Sequence, residues 1–116
     1  MIVVDHRDRP FIRSASGDPC LWMVVNREVG ASSLSVWTAC HEVGDTAPVH
    51  SHEVEEVLTL ISGEATVTVG DDTIEAREGM SIIVPAGTPH GYRNSGKSPL
   101  RIIVALAGAD VMPYIG

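Results

Sequence analysis

Apolar and polar side chains alternate through short stretches of this chain, and that alternation limits it to one broad class of fold. In Leu100-Arg-Ile-Ile-Val-Ala-Leu106, residues Leu100, Ile102, Val104 and Leu106 share one face, opposite Arg101. Ala65-Thr-Val-Thr-Val69 sets Val67 and Val69 against Thr66 and Thr68, and Gly70-Asp71-Asp72 then turns the chain into Thr73-Ile-Glu-Ala76, which predicts a hairpin. Such segments, separated by Gly, Asp, Asn and Pro, recur roughly every eight to twelve residues, the pattern of an all-β sandwich or barrel. No long helical period competes with them. Ser14 to Pro19 is rich in turn formers and is expected to be a loop.

A chain of 116 residues holds one core, so residues 1–116 are expected to form one domain with no room for a second catalytic or DNA-reading module. A net charge of −7 and the absence of a Lys/Arg cluster argue against nucleic acid as a partner. Met1-Ile-Val-Val-Asp5-His6-Arg7 does not have the layout of a signal peptide. The apolar run from Ile102 to Ala109 is far short of the roughly 20 residues that span a bilayer. A soluble, cytoplasmic protein with no membrane partner is expected. Cys20 and Cys40 lack metal-ligand spacing and are expected to be reduced, packed thiols.

The chemistry gathers at His50, His52, Glu56 and His90. On a strand, positions separated by even numbers share a face, so His50, His52 and Glu56 can point together; on a helix the first two would diverge. Neutral imidazoles and a carboxylate suit Fe, Mn, Ni, Cu or Zn, and four protein ligands leave up to two positions of an octahedral ion open. Each residue alone would more often be an ordinary buried or surface group; together they predict a divalent metal site.

The surrounding residues carry a resemblance. Gly44-Asp-Thr-Ala-Pro-Val-His50-Ser-His52-Glu-Val-Glu-Glu56-Val-Leu-Thr-Leu-Ile-Ser-Gly63 is similar to the first cupin motif, and Gly79-Met-Ser-Ile-Ile-Val-Pro85-Ala-Gly87-Thr-Pro-His90-Gly-Tyr-Arg-Asn94 to the second. All ten defining positions are filled: Gly44, His50, His52, Glu56, Gly63, Gly79, Pro85, Gly87, His90 and Asn94. The motifs, 44–63 and 79–94, are separated by a 15-residue spacer like that of small microbial cupins. The resemblance implies a cupin jelly-roll β-barrel (double-stranded β-helix) with a metal inside, held by His50, His52, Glu56 and His90. It also implies a homodimer, paired through sheet faces or exchanged ends. Met1 to Val4 and Val111 to Ile115 are apolar enough for such contacts, and equally for covering the chain's own edges.

Gly63, Gly79 and the Pro85-Ala86-Gly87 turn are read as scaffold, with positive φ expected at the first two and Asn94 capping the turn that follows it. Glu56 can bind the ion, swing away, or act as a general base. Tyr92 shares parity with His90, so its ring can enter the barrel and its hydroxyl can reach substrate, although packing is the commoner role for such a ring. Glu53 and Glu55 are expected to face solvent, and Val54 to pack beside the metal. His6 and His41 are given surface or packing roles. Either Trp37, Ala39 and His41 or Val36, Thr38 and Cys40 face the cavity, and the mild polarity of the second set favours it. Few charged residues are placed to enter the barrel, so the expected partner is a small organic substrate. Fold and metal do not choose a reaction. The first expectation is a dioxygenase-type oxidoreductase using Fe or Mn, with Glu56 and Tyr92 as catalytic candidates. The alternatives are a non-redox isomerase, lyase or cyclase, and a non-catalytic metabolite-binding protein.

Overall fold

In a computed structural model, residues 1–13 and 19–113 are described, and they build two antiparallel sheets that face each other. Ten strands follow in chain order: β1 (Phe11–Arg13), β2 (Pro19–Val25), β3 (Ser35–His41), β4 (Thr46–His50), β5 (Glu56–Ser62), β6 (Glu64–Val69), β7 (Asp72–Arg77), β8 (Ser81–Val84), β9 (His90–Asn94) and β10 (Leu100–Leu106). One sheet has the order β1-β2-β3-β10-β5-β8, the other β4-β9-β6-β7. Sequence neighbours such as β4 and β5 therefore lie in opposite sheets, as the jelly-roll expectation requires. The loop expected over Ser14 to Pro19 falls largely outside the described residues, and Pro19 itself opens β2.

The alternation in β10 turns directly into packing. Leu100, Ile102, Val104 and Leu106 are buried between the sheets, beside Leu58 and Leu60 of β5 and facing Ala65 and Val67 of β6. Each such aliphatic side chain contributes roughly 1.5–3 kcal/mol on full burial. The expected hairpin joins β6 to β7 with Val69 opposite Asp72. Gly63 and Gly79 have φ of +90° and +84°, as expected. The Asn94 side chain accepts from the Gly96 N–H and donates to the Ser98 and His41 carbonyls, so it fixes the turn after β9 and ties it to β3.

Three expectations are corrected. His50, His52 and Glu56 do not share a strand: His50 ends β4, residues 51–55 form a loop, and Glu56 opens β5. The chain crosses there from one sheet to the other, which a single extended strand cannot do. On β3 the inward set is Trp37, Ala39 and His41, against the weak preference for Val36, Thr38 and Cys40. These residues pair across the ladder with Val104, Ile102 and Leu100, and directly opposed residues share a face. Cys20 and Cys40 are free thiols as expected, but half-buried rather than sealed in the core. Of the apolar ends, Val111 packs against the core and Pro113 is buried, whereas Met1 to Val3 stay exposed. Tyr114 and Ile115 lie outside the described residues. Among the described residues, no helix is long and apolar enough to cross a membrane.

Candidate metal centre

Strand pairing brings together residues far apart in the chain. β4 and β9 are antiparallel neighbours with His50 opposite His90, so two imidazoles from different motifs become adjacent. The backbone at this pairing is unusually close: a Cβ on Gly91 would stand 2.8 Å from the Ala47 carbonyl oxygen. Only glycine fits between His90 and Tyr92. His52 is brought in by its own main chain, whose carbonyl accepts a 2.7 Å hydrogen bond from the N–H of Gly87. Gly87 has φ of +76°, a left-handed conformation that glycine adopts without cost. The turn of the second motif thus holds the histidine loop of the first. Glu56 arrives from the opposite sheet, 2% exposed.

The ligand atoms of His50, His52 and His90 lie within 4.8 Å of one another. His50 Nδ1 is 2.7 Å from the Pro48 carbonyl and His90 Nδ1 is 2.9 Å from that of Thr88. A carbonyl oxygen can only accept, so both rings carry a proton on Nδ1, and in the neutral ring Nε2 presents its lone pair. Backbone carbonyls holding the other nitrogen are the usual support for metal-binding imidazoles. Nε2 of His52 and of His90 are buried with no hydrogen-bond partner. Two such atoms within one cluster fit a group that accepts nitrogen lone pairs, which is what a divalent transition metal is.

Glu56 lies against this cluster, with Oε2 2.7 Å from His90 Nε2 and Oε1 3.6 Å from His52 Nε2. The shorter approach is a close charge contact made outside hydrogen-bond geometry. Burial lowers the His52 pKa, opposed by Glu56 and reinforced by the other two imidazoles, so His52 stays neutral and able to bind metal. Burial also works against charge on His90, but the Glu56 carboxylate and the Thr88 carbonyl outweigh it and hold that pKa above the usual range.

The cluster opens into a cavity of about 380 Å³ between the sheets, within the size range of small-molecule sites. Its walls include Leu21, Trp37, Ala39, Ala47, Leu58 and Val104. Trp37 meets His52 edge-on, with ring centroids 5.7 Å apart. Tyr92 lines the cavity as its parity predicted, and burial first, then Glu56 and Cys20, push its phenol pKa upward. Glu53 and Glu55 are exposed, and Val54 packs against the core beside His52 in a shallow groove. His41 was assigned a surface or packing role, yet it lines the cavity with its Nε2 2.7 Å from the Tyr92 hydroxyl. Gly91 has no role in the sequence reading, and Trp37 appears there only in the disfavoured set for β3. The signal for Trp37 and His41 lay in the regular alternation of β10, because the register with that strand fixes which face of β3 turns inward.

Two facing antiparallel sheets with a histidine cluster between them define a small β-barrel protein able to hold a metal. The cupin domain family matches residues 37–106, and the chain belongs to it. The xanthan biosynthesis protein XanB of Xanthomonas campestris pv. campestris is 36% identical over 68 residues, which are 59% of this chain but only 14% of XanB. The chain therefore corresponds to a small part of that relative. Bacillus subtilis oxalate decarboxylase, a protein with Mn(II) centres, superposes with a TM-score of 0.80 at 18% identity, over 92% of this chain and 29% of the decarboxylase. The polyketide cyclase RemF of Streptomyces resistomycificus superposes with a TM-score of 0.74 at 20% identity, over all of this chain and 86% of RemF. At these identities the structural likenesses speak for the fold.

Proposed function

We propose that this cupin is a metal-dependent enzyme acting on a small, largely apolar organic substrate, with dioxygenase-type oxidation as the leading reaction. The observation that carries the proposal is the convergence of three imidazoles and the buried Glu56 carboxylate beside an apolar cavity, with the Nε2 atoms of His52 and His90 buried and making no hydrogen bond. His50, His52 and His90 would hold the ion, with Glu56 as the fourth ligand, and Fe or Mn are favoured over Ni, Cu or Zn. Such an ion supplies Lewis acidity and one-electron chemistry. The chain does the rest. The apolar walls exclude water, Trp37 fixes the His52 ring from one side, and Glu56 is placed to take a proton from a substrate hydroxyl delivered to the cluster.

Elemental analysis of protein prepared without chelator, beside His52→Ala, tests the site. About one metal per chain, lost in the variant, is expected. Oxygen uptake with enols, diketones, thiols and catechols then tests the reaction, and no uptake by metal-loaded protein would remove the dioxygenase reading. A non-redox cyclisation or isomerisation is the second reading. It draws on the hydrogen-bonded His41 and Tyr92 in the same cavity and on the likeness to RemF over nearly its whole length. Turnover under strict anaerobiosis would select it. Tight binding of these compounds without turnover in either atmosphere would instead indicate a metabolite-binding protein.

A further inference from the structure

The cavity has a second polar element besides the histidine cluster. On β9, Tyr92 follows His90 by two residues on the same face, about 6.6 Å further along the strand. On β3, Trp37 touches His52 while His41, four residues on, touches Tyr92, a displacement of about 13 Å. Between these levels β3 carries the small side chain Ala39, while Ala47 of β4 lies directly opposite Tyr92 at the far end. Apolar walls of Ala39, Leu58 and Val104 thus separate the histidine cluster from a second polar pair, and Arg13, Cys20 and Thr46 also reach the cavity.

The far end can accept as well as donate. Burial holds His41 below its ordinary pKa, so its ring is neutral and has two tautomers available. If the Tyr92 hydroxyl donates to Nε2, its oxygen is left to accept from a substrate hydroxyl. If Nε2–H donates instead, the phenol proton is left for a substrate carbonyl. Neither arrangement suits a purely hydrocarbon end.

We propose that the His41–Tyr92 pair is a second recognition point, which binds a hydroxyl or carbonyl oxygen at the far end of a flat apolar substrate whose other end lies at the histidine cluster. Tyr92 makes the contact, and His41 is a positioning residue that holds the phenol. The proposal rests on the metal-site reading above and adds to it the substrate class: an aromatic or similarly flat compound oxygenated at both ends.

Hydroxamates chelate metals and serve as probes. Affinities are measured for Co(II)-loaded protein by its visible spectrum, comparing 4-hydroxybenzohydroxamate with benzohydroxamate and 6-hydroxy-2-naphthohydroxamate with 2-naphthohydroxamate. In at least one pair the hydroxylated compound should bind roughly threefold to tenfold more tightly, the range of one hydrogen bond. That ratio should fall to about one in Tyr92→Phe and be partly kept in His41→Gln, whose amide can still bond the phenol. Equal affinities within both pairs, or a ratio that survives Tyr92→Phe, would overturn the proposal while leaving the metal site standing. Failure of the wild-type protein to take up Co(II) would overturn the metal reading, and this proposal with it. Should Tyr92→Phe not fold, an unchanged ratio in both His41→Gln and His41→Leu would be decisive against it.

Discussion

At one end of the cavity, His50 and His90 are each anchored to a backbone carbonyl, and His52 is held through its own carbonyl by Gly87. At the other end, His41 and Tyr92 are held by each other, side chain to side chain, across the gap between the sheets. Both ends join the two sheets, and both use imidazole. The first is set by the main chain, so it survives changes in neighbouring side chains; the second depends on two replaceable residues. The backbone therefore sets the geometry of the histidine cluster, whereas side chains alone set that of the His41–Tyr92 pair.

The largest expected effect comes from emptying the constant end. His52→Ala should reduce metal content to background while the far end, which His52 does not touch, still folds; a variant that keeps a full equivalent of metal would break the contrast. Next is Glu56→Gln, which keeps the shape but removes the charge beside His52 and His90. Metal affinity measured by chelator competition should weaken by at least about tenfold, and an unchanged constant would take Glu56 out of the ligand set. Gly91→Ala attacks the backbone that the constant end relies on. Its Cβ would meet the Ala47 carbonyl, a strain of about 1–3 kcal/mol that thermal unfolding should report as a drop of several degrees. No drop would mean that β4 and β9 can separate.

The smallest effect concerns the variable end. His41 is held below its ordinary pKa by burial, with Asp45 pulling weakly the other way. The unfolded chain then binds a proton that the folded one refuses. The stability tied to His41 is therefore complete above about pH 6.5 and is lost as the pH falls through the lower, folded value. His41→Gln should flatten the decline of the urea midpoint between about pH 7.5 and 5.5 in metal-free protein. His52 and His90 titrate in both proteins, so the difference isolates His41, and parallel declines would show that it is not buried as a neutral ring.

The two ends also differed in how well they could be read from the sequence. The constant end was legible because His50, His52, Glu56 and His90 sit among glycines and a proline at fixed spacing, and those residues set local backbone geometry. Their convergence does not come from a shared strand face, because the chain bends away through 51–55 to change sheets. At the variable end Tyr92 was legible from its parity with His90, but His41 was not. Whether His41 or Cys40 faces inward depends on register with β10, some 60 residues later, and local polarity pointed the other way. Gly91 was missed for a similar reason, since its necessity comes from Ala47 on another strand.

The pairing of His50 with His90 has a consequence for how the protein matures. Those residues are 40 apart in the chain and meet only when β4 lies beside β9. Before that, the chain offers an ion little more than the local His50-Ser51-His52 pair. An ion therefore cannot recruit the full ligand set until the sheets have assembled, and it cannot act as a local nucleus for folding. The unloaded chain has to reach its topology through its own apolar alternation. A metal taken up at this cluster would then stabilise the folded form according to its concentration relative to its dissociation constant, as a late reinforcement of a structure already complete.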